Sequence, residues 1–108
     1  MDQEKLTAKA RSGLQEAQVL ALRKGHQELD VEHLALSLLR QEEGLLARLL
    51  ERLGAPVDTF ASSLEKELDR RPRLLSGAEE LRLSRRLGLV LAAAADEAQK
   101  FKDDFVSV

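Results

Sequence analysis

The sequence predicts an all-α fold, a unit of four helices followed by the first helix of a second such unit. Three observations predict it. Leucine and alanine dominate the apolar residues, and the only aromatic residues are three phenylalanines, the composition of helices packed on helices. Apolar side chains recur every three to four residues through most of the 108 positions, which is the period of one helical face. No stretch alternates apolar and polar residues for long enough to predict a strand.

The elements follow in order. Thr7 is read as the N-cap of a first helix, its hydroxyl able to accept from free backbone N–H groups in the first turn. Ala10, Leu14, Ala17 and Ala21 then mark the inward face, and Gly25 supplies the stop. Asp30 is the next cap. It opens a helix near Glu32 in which Leu34, Leu38 and Leu39 share a face, until Glu42-Glu43-Gly44 breaks it. Leu45, Leu46, Leu49, Leu50 and Leu53 form a third stripe, ended by Gly54 with Pro56 just beyond. A fourth helix carries Val57, Phe60, Leu64 and Leu68 and stops at Arg71-Pro72. Residues 71–82, RPRLLSGAEELR, mix proline, glycine and charge and read as a linker. Ser84 caps a fifth helix with Leu87, Val90, Leu91, Ala94 and Ala98 inward.

Composition narrows the function. Charged residues make up 33% of the chain yet leave a net charge of only −2, so no global field steers it to nucleic acid or anionic membranes. Cysteine is absent, which removes disulfides, thiol nucleophiles and thiolate metal sites. The N-terminal MDQEK has no hydrophobic signal core. The longest apolar run, LGLVLAAAA, is roughly half of a membrane span. A cytoplasmic protein is expected.

Displacing the chain on itself by 77 positions sets Leu6-Thr7 on Leu83-Ser84, Leu14 on Leu91, Ala17 on Ala94, Ala21 on Ala98 and Val31 on Val108. Five of 26 paired positions are identical, a thin likeness, so the weight falls on caps matching caps and core positions matching core positions. The division expected is residues 1–70 for a first repeat, 71–82 for the linker and 83–108 for the start of a second. Ser107 then becomes the cap of a sixth helix, at whose threshold the chain is expected to end. A fifth helix without its repeat's partners would forfeit about 1.5–3 kcal/mol for each large apolar side chain left exposed. Folding onto the first repeat, pairing with another copy or a loose C-terminal third are the ways out.

Polar candidates carry less. His33, beside Glu32 at the start of the second helix, has no second histidine one turn on and no converging ligands, so it reads as a packed or capping histidine. His26 follows Gly25 in a turn and reads as exposed. Arg70, Arg71, Arg73, Arg82, Arg85 and Arg86 are diluted by Asp69, Glu79 and Glu80 and lack an aromatic platform, so they do not read as a nucleic-acid site. No GxxxxGK[ST] loop occurs to hold phosphates, and no nucleophile–base pair stands out.

Leu6-Thr7, KGHQELDVEHLALSLL and GLLARLLERLG together resemble the first repeat of the Clp N-terminal domain. That domain is a tandem of two four-helix units at the head of AAA+ unfoldases and disaggregases. ELDRRPRL and KFKDDFVSV tilt the resemblance to the ClpB type. The resemblance implies a non-catalytic docking module that catches apolar segments of unfolded or aggregated client proteins for an ATPase ring. The parent it implies is hexameric and uses ATP and Mg in other domains; for this stretch it implies no cofactor and no metal. It also implies that Thr7 and Asp103 sit at a client-contacting surface, and that Ala93 and Glu97 take groove positions which are more apolar in the ClpB pattern. The alternatives are an adaptor-docking N-domain of the ClpA or ClpC type, and a helical oligomerisation module.

Overall fold

A computed structural model describes residues 3–74 and 80–106, with side chains described at 8–74, 80–100, 102 and 103. Five helices account for nearly all of it: α1 (Gln3–Arg23), α2 (Val31–Leu39), α3 (Leu45–Arg52), α4 (Val57–Asp69) and α5 (Arg85–Val106). The all-α expectation holds. The helices fall in the predicted order, and two of the predicted caps are built as expected. Asp30 accepts from the Val31 N–H at 2.8 Å, and Ser84 Oγ accepts from the Leu87 N–H at 3.0 Å.

Thr7 is not a cap. Helix α1 begins at Gln3, because Gln3, Glu4 and Lys5 are all good helix formers and carry the helix a turn further upstream. The Thr7 side chain, the cap expected at Ser107 and the end of the chain lie outside the described residues, as do residues 75–79 of the expected linker.

The expectation of no strand also fails, narrowly. Residues Glu28–Leu29 (β1) and Arg82–Leu83 (β2) pair in parallel, with Glu28 opposite Arg82 and Leu29 opposite Leu83. The Arg82 N–H donates to the Gln27 carbonyl at 3.0 Å and the Ser84 N–H to that of Leu29 at 2.9 Å. Two residues a side are too short to show alternation, and the partner lies more than fifty positions away, so periodicity could not reveal it.

Helices α1, α2 and α4 form the body. Gly13 lets α1 and α2 approach closely, since a Cβ there would lie 2.5 Å from Leu38 Cδ2. Lys24, just past the end of α1, reaches Glu65 and Asp69 of α4 at 2.5 and 2.6 Å, and Arg40 meets Glu65 at 2.7 Å. Gly25 turns the chain at φ +72, where a Cβ would also run into the Leu74 carbonyl at 2.8 Å; glycine alone fits both demands. Ala17, Ala21, Leu29 and Leu87 are fully buried in one cluster, with Leu14, Val31, Leu34, Leu81 and Leu91 packed around it. Helix α5 thus joins the core through its first two turns.

Several inward expectations are corrected. Ala10, Ala94 and Ala98 are exposed, as is Val90. The Leu stripe of α3 divides, with Leu46 and Leu50 half-buried while Leu45, Leu49 and Leu53 face solvent. Phe60 of α4 is exposed too. A short amphipathic helix on the margin of a three-helix body has apolar faces pointing in two directions and can cover only one of them.

Candidate functional site

Helix α5 carries three of the four predicted site residues, and the junction that aims it is built at the caps of α2 and α5. Asp30 and Ser84 cap their own helices and also bond to each other, Ser84 Oγ donating to Asp30 Oδ1 at 2.7 Å. Around them Arg71 and Arg86 grip the acidic start of α2. Arg71 Nη1 donates to Asp30 Oδ2 at 3.0 Å and its Nη2 to Glu32. Arg86 Nη2 reaches Asp30 Oδ2 at 2.7 Å and Glu32 Oε1 at 2.5 Å. Burial alone would raise the Asp30 carboxyl. Hydrogen bonds from Arg86, Ser84 and the Val31 N–H outweigh it and hold that carboxyl far below its usual range. Glu32 is lowered against its burial in the same way by Arg86 and Arg71, and the two acids hold Arg86 above its ordinary value. Paired charges of this kind are costly to break because one removed partner strands the others.

Beneath the clamp sits a pair of buried histidines. The Asp30 backbone N–H donates to His33 Nδ1 at 2.9 Å, completing the capping box of α2. The His33 proton therefore sits on Nε2, which donates to His26 Nδ1 at 2.8 Å. Burial, then the charges of its neighbours His26 and Arg71, push His33 down to about 4. Burial also lowers His26, helped by Arg71 and Lys24. His33 is the capping and packed residue expected; His26, expected exposed, is buried. The expectation for His26 failed because its cover comes from α2, outside the turn it belongs to.

A depression of about 310 Å³ opens beside His26, lined by Gln27, Glu28, Arg71, Pro72 and Leu74. Its histidine faces His33 and its arginine is committed to Asp30 and Glu32. Among the described residues no cluster of three or more His, Asp or Glu could hold a metal ion. No described helix is long and apolar enough to cross a membrane.

The exposed surface is on α5. Ala93 and Glu97 lie one turn apart in solvent, with Glu97 3.5 Å from Lys100. Leu89, one turn before Ala93, is 62% exposed and continues the same stripe. Asp103 is exposed and accepts from Gln99 Nε2 at 3.0 Å. It stands about 120° around the helix from Glu97 at 100° per residue, so the structure brings Ala93 and Glu97 together but sets Asp103 on another side. Thr7 lies in the first turns of α1, its side chain outside the description. The sequence reading passed over Leu89. Leu89, Ala93 and Glu97 do repeat every four residues, but the Leu87–Leu91 face carries the stronger apolar period.

A model of the Clp repeat (R) N-terminal domain matches residues 5–108. The chain belongs to this family. Among its relatives is the chaperone protein ClpB of Nitratidesulfovibrio vulgaris, 49% identical over 111 residues that take in the whole chain and 13% of that protein. The chaperone protein ClpB 1 of Parasynechococcus marenigrum is 39% identical over 105 residues, covering 97% of the chain and 12% of the relative. The ClpB of Brucella suis is 37% identical over 108 residues, again the whole chain and 12% of the relative. The Clp N-domain described here therefore spans about an eighth of the length of these chaperones.

Proposed function

We propose that this Clp N-domain is a non-catalytic protein-binding module of a ClpB-like ATP-dependent disaggregase. It engages exposed apolar segments of unfolded or aggregated proteins and hands them to an ATPase ring that lies elsewhere in the parent. The parent is a hexamer that works in the cytoplasm, and ATP and Mg act in its other domains. In this reading the chain is a first repeat over 1–70, a linker over 71–82 and the start of a second repeat over 83–108. Clients lie along Leu89, Ala93 and Glu97, with Thr7 and Asp103 as polar contacts at the margins.

The observation that carries the reading is an apolar surface held on a fixed element. Leu83 of β2 and Leu89 and Val90 near the start of α5 are exposed, in the segment that carries Arg86 of the clamp with Asp30, Glu32 and Arg71. Exposed apolar side chains in such an arrangement mark sites of protein contact. Glu97 and the small Ala93 make the stripe less apolar than a leucine-lined groove, which favours weak, reversible capture.

Fluorescence anisotropy with a labelled, permanently unfolded client tests the proposal. Leu89→Asp removes an apolar contact worth about 1.5–3 kcal/mol and should weaken binding at least tenfold. The double variant Thr7→Ala/Asp103→Ala should weaken it less. Failure of the unmodified chain to bind any unfolded client would remove the reading.

A further inference from the structure

Residues 26–30 form the short run against which β2 lies. The Gln27 and Leu29 carbonyls accept from the Arg82 and Ser84 N–H groups at 3.0 and 2.9 Å. The Asp30 carboxylate accepts from the Ser84 hydroxyl and from Arg86. Both ends of this run are tied to one side chain. His33 Nδ1 accepts from the Asp30 N–H at 2.9 Å, and His33 Nε2 meets His26 Nδ1 at 2.8 Å. His26 has a further hydrogen-bond partner in the Leu68 backbone near the end of α4. The His33 ring thus braces residues 26–30, the edge on which β2 and the cap of α5 are seated.

The direction of each bond is fixed. A backbone N–H only donates, so His33 Nδ1 keeps its lone pair and the ring proton sits on Nε2. His26 Nδ1 then keeps a lone pair to receive it. A proton added to His33 Nδ1 would point at the Asp30 N–H, and one added to His26 Nδ1 would point at the His33 Nε2–H. Either ring can gain a proton only after one of the two bonds has opened. We infer that His33 is a proton-sensitive pin: the neutral ring holds β2 and the start of α5 on the body, and uptake of a proton by the histidine pair releases them while α1, α2 and α4 stay packed. The inference is independent of client binding.

The charges around the pair set the direction of the response. His26 faces the cations Arg71 and Lys24, with Asp69 of α4 opposing them, and Glu28 lines the depression beside it. His33 faces His26 and Arg71 on one side of the balance, Asp30 and Glu32 on the other. A charged His33 competes with Arg71 and Arg86 for those two acids. Arg86 yields first, since its side chain is 60% exposed against 23% for Arg71. The clamp does not itself titrate in the range that matters, because Asp30 and Glu32 are lowered and Arg86 is raised. A freed histidine titrates near 6.5, against about 4 for His33 in the closed fold. The open form therefore binds the extra proton, and opening is favoured as the pH falls from about 6.5 toward 4. The close approach of α1 and α2 at Gly13 and the bonds of Glu65 to Lys24 and Arg40 do not pass through the pair, so the body outlasts the joint.

Histidine nitrogen-15 NMR combined with amide exchange on the chain tests it. At pH 7.5 His33 should carry its proton on Nε2 and none on Nδ1. Between pH 7.5 and 5, exchange at the Arg82 and Ser84 amides, corrected for the intrinsic rate, should speed up about tenfold. That rise should follow the titration of the pair, while the Ala17 and Ala21 amides keep their protection. Coupling is reciprocal, so Arg86→Gln, which leaves the two acids to the ring, should make the pair titrate at higher pH. His26→Gln/His33→Gln supplies an acceptor and a donor at each position without a group that titrates. In that variant Arg82 and Ser84 should be as protected at pH 5 as at pH 7.5. His33→Gln alone retains a capping-box residue and should show a smaller rise than the unmodified chain, which keeps the test decisive should the double variant not fold. A proton on His33 Nδ1 at pH 7.5 overturns the inference. So does opening of Arg82 and Ser84 only together with Ala17 and Ala21, or acid opening that is equal with and without the histidines.

Discussion

At the residue scale the buried pair His26 and His33 makes the chain sensitive to acid before its carboxylates titrate. His33 is neutral in the fold, with its pKa lowered to about 4, while an unfolded histidine titrates near 6.5. Between those values the unfolded chain takes up a proton that the folded chain refuses. A base lowered in this way contributes stability that is whole above about pH 6.5 and is lost as the pH falls toward 4. At 1.36 kcal/mol per unit the loss for His33 is about 3 kcal/mol, and His26, also lowered, adds in the same direction. Asp30 and Glu32 are lowered acids, so their contribution is present above the ordinary carboxylate range and fails only below it. Urea unfolding followed by circular dichroism at pH 7.5, 6.5, 5.5 and 4.5 should show the midpoint falling most between the middle two and the last. His33→Gln, less stable at neutral pH, should flatten that slope. An unmodified chain with level stability across this range would contradict the assignment of a neutral pair.

At the scale of elements the joint between α2 and α5 is made by two caps that share a hydrogen bond. Ser84→Ala removes a cap worth about 1 kcal/mol and takes one of two donors from Asp30 Oδ1, the Val31 N–H remaining. Ser84→Asp separates the two roles. Aspartate caps a helix as well as serine, but here it would set a second carboxylate where Ser84 Oγ now lies, 2.7 Å from Asp30 Oδ1. Ser84→Asp should therefore unfold at lower urea than Ser84→Ala, although propensity alone ranks them the other way. The reverse order would mean that the Ser84–Asp30 bond does not join the two helices. Legibility follows the same division between local and distant. Both caps could be read because capping is decided within four residues, and the glycine at 25 because a turn needs it. Thr7 misled because its hydroxyl suits a cap while three helix formers stand just upstream. The β1–β2 pair and the Arg86 grip on Glu32 join positions far apart in the chain, and His26 is met by His33 from the next helix, outside its own turn. Of the predicted site, α5 and the pairing of Ala93 with Glu97 were legible from helical period. The exposed Leu89 beside them depended on which faces the body covers, and no single period states that.

At the scale of the molecule the chain is a three-helix body with one long helix leaving it. The radius of gyration is 15.4 Å and the extents are 55 × 32 × 20 Å, whereas a compact chain of this length has a radius near 13 Å. The excess fits where α5 is held, since among the described residues its cross-element hydrogen bonds lie at Arg86 and, just ahead of the helix, at Arg82 and Ser84, and its packed residues are Leu87 and Leu91. From Ala92 to Lys100 each residue is exposed. A helix without tertiary cover is marginal in water, because packing supplies most helical stability. Local opening is easiest where buried contacts are few. Amide hydrogen exchange on a dilute sample should therefore show strong protection through α2 and through α1 from Leu14 to Ala21. Protection in α5 should drop steeply after Leu91. If α5 past Leu91 is as protected as α2, its outer half is held by contacts other than those at Ser84, Arg86, Leu87 and Leu91, and the steep drop is wrong.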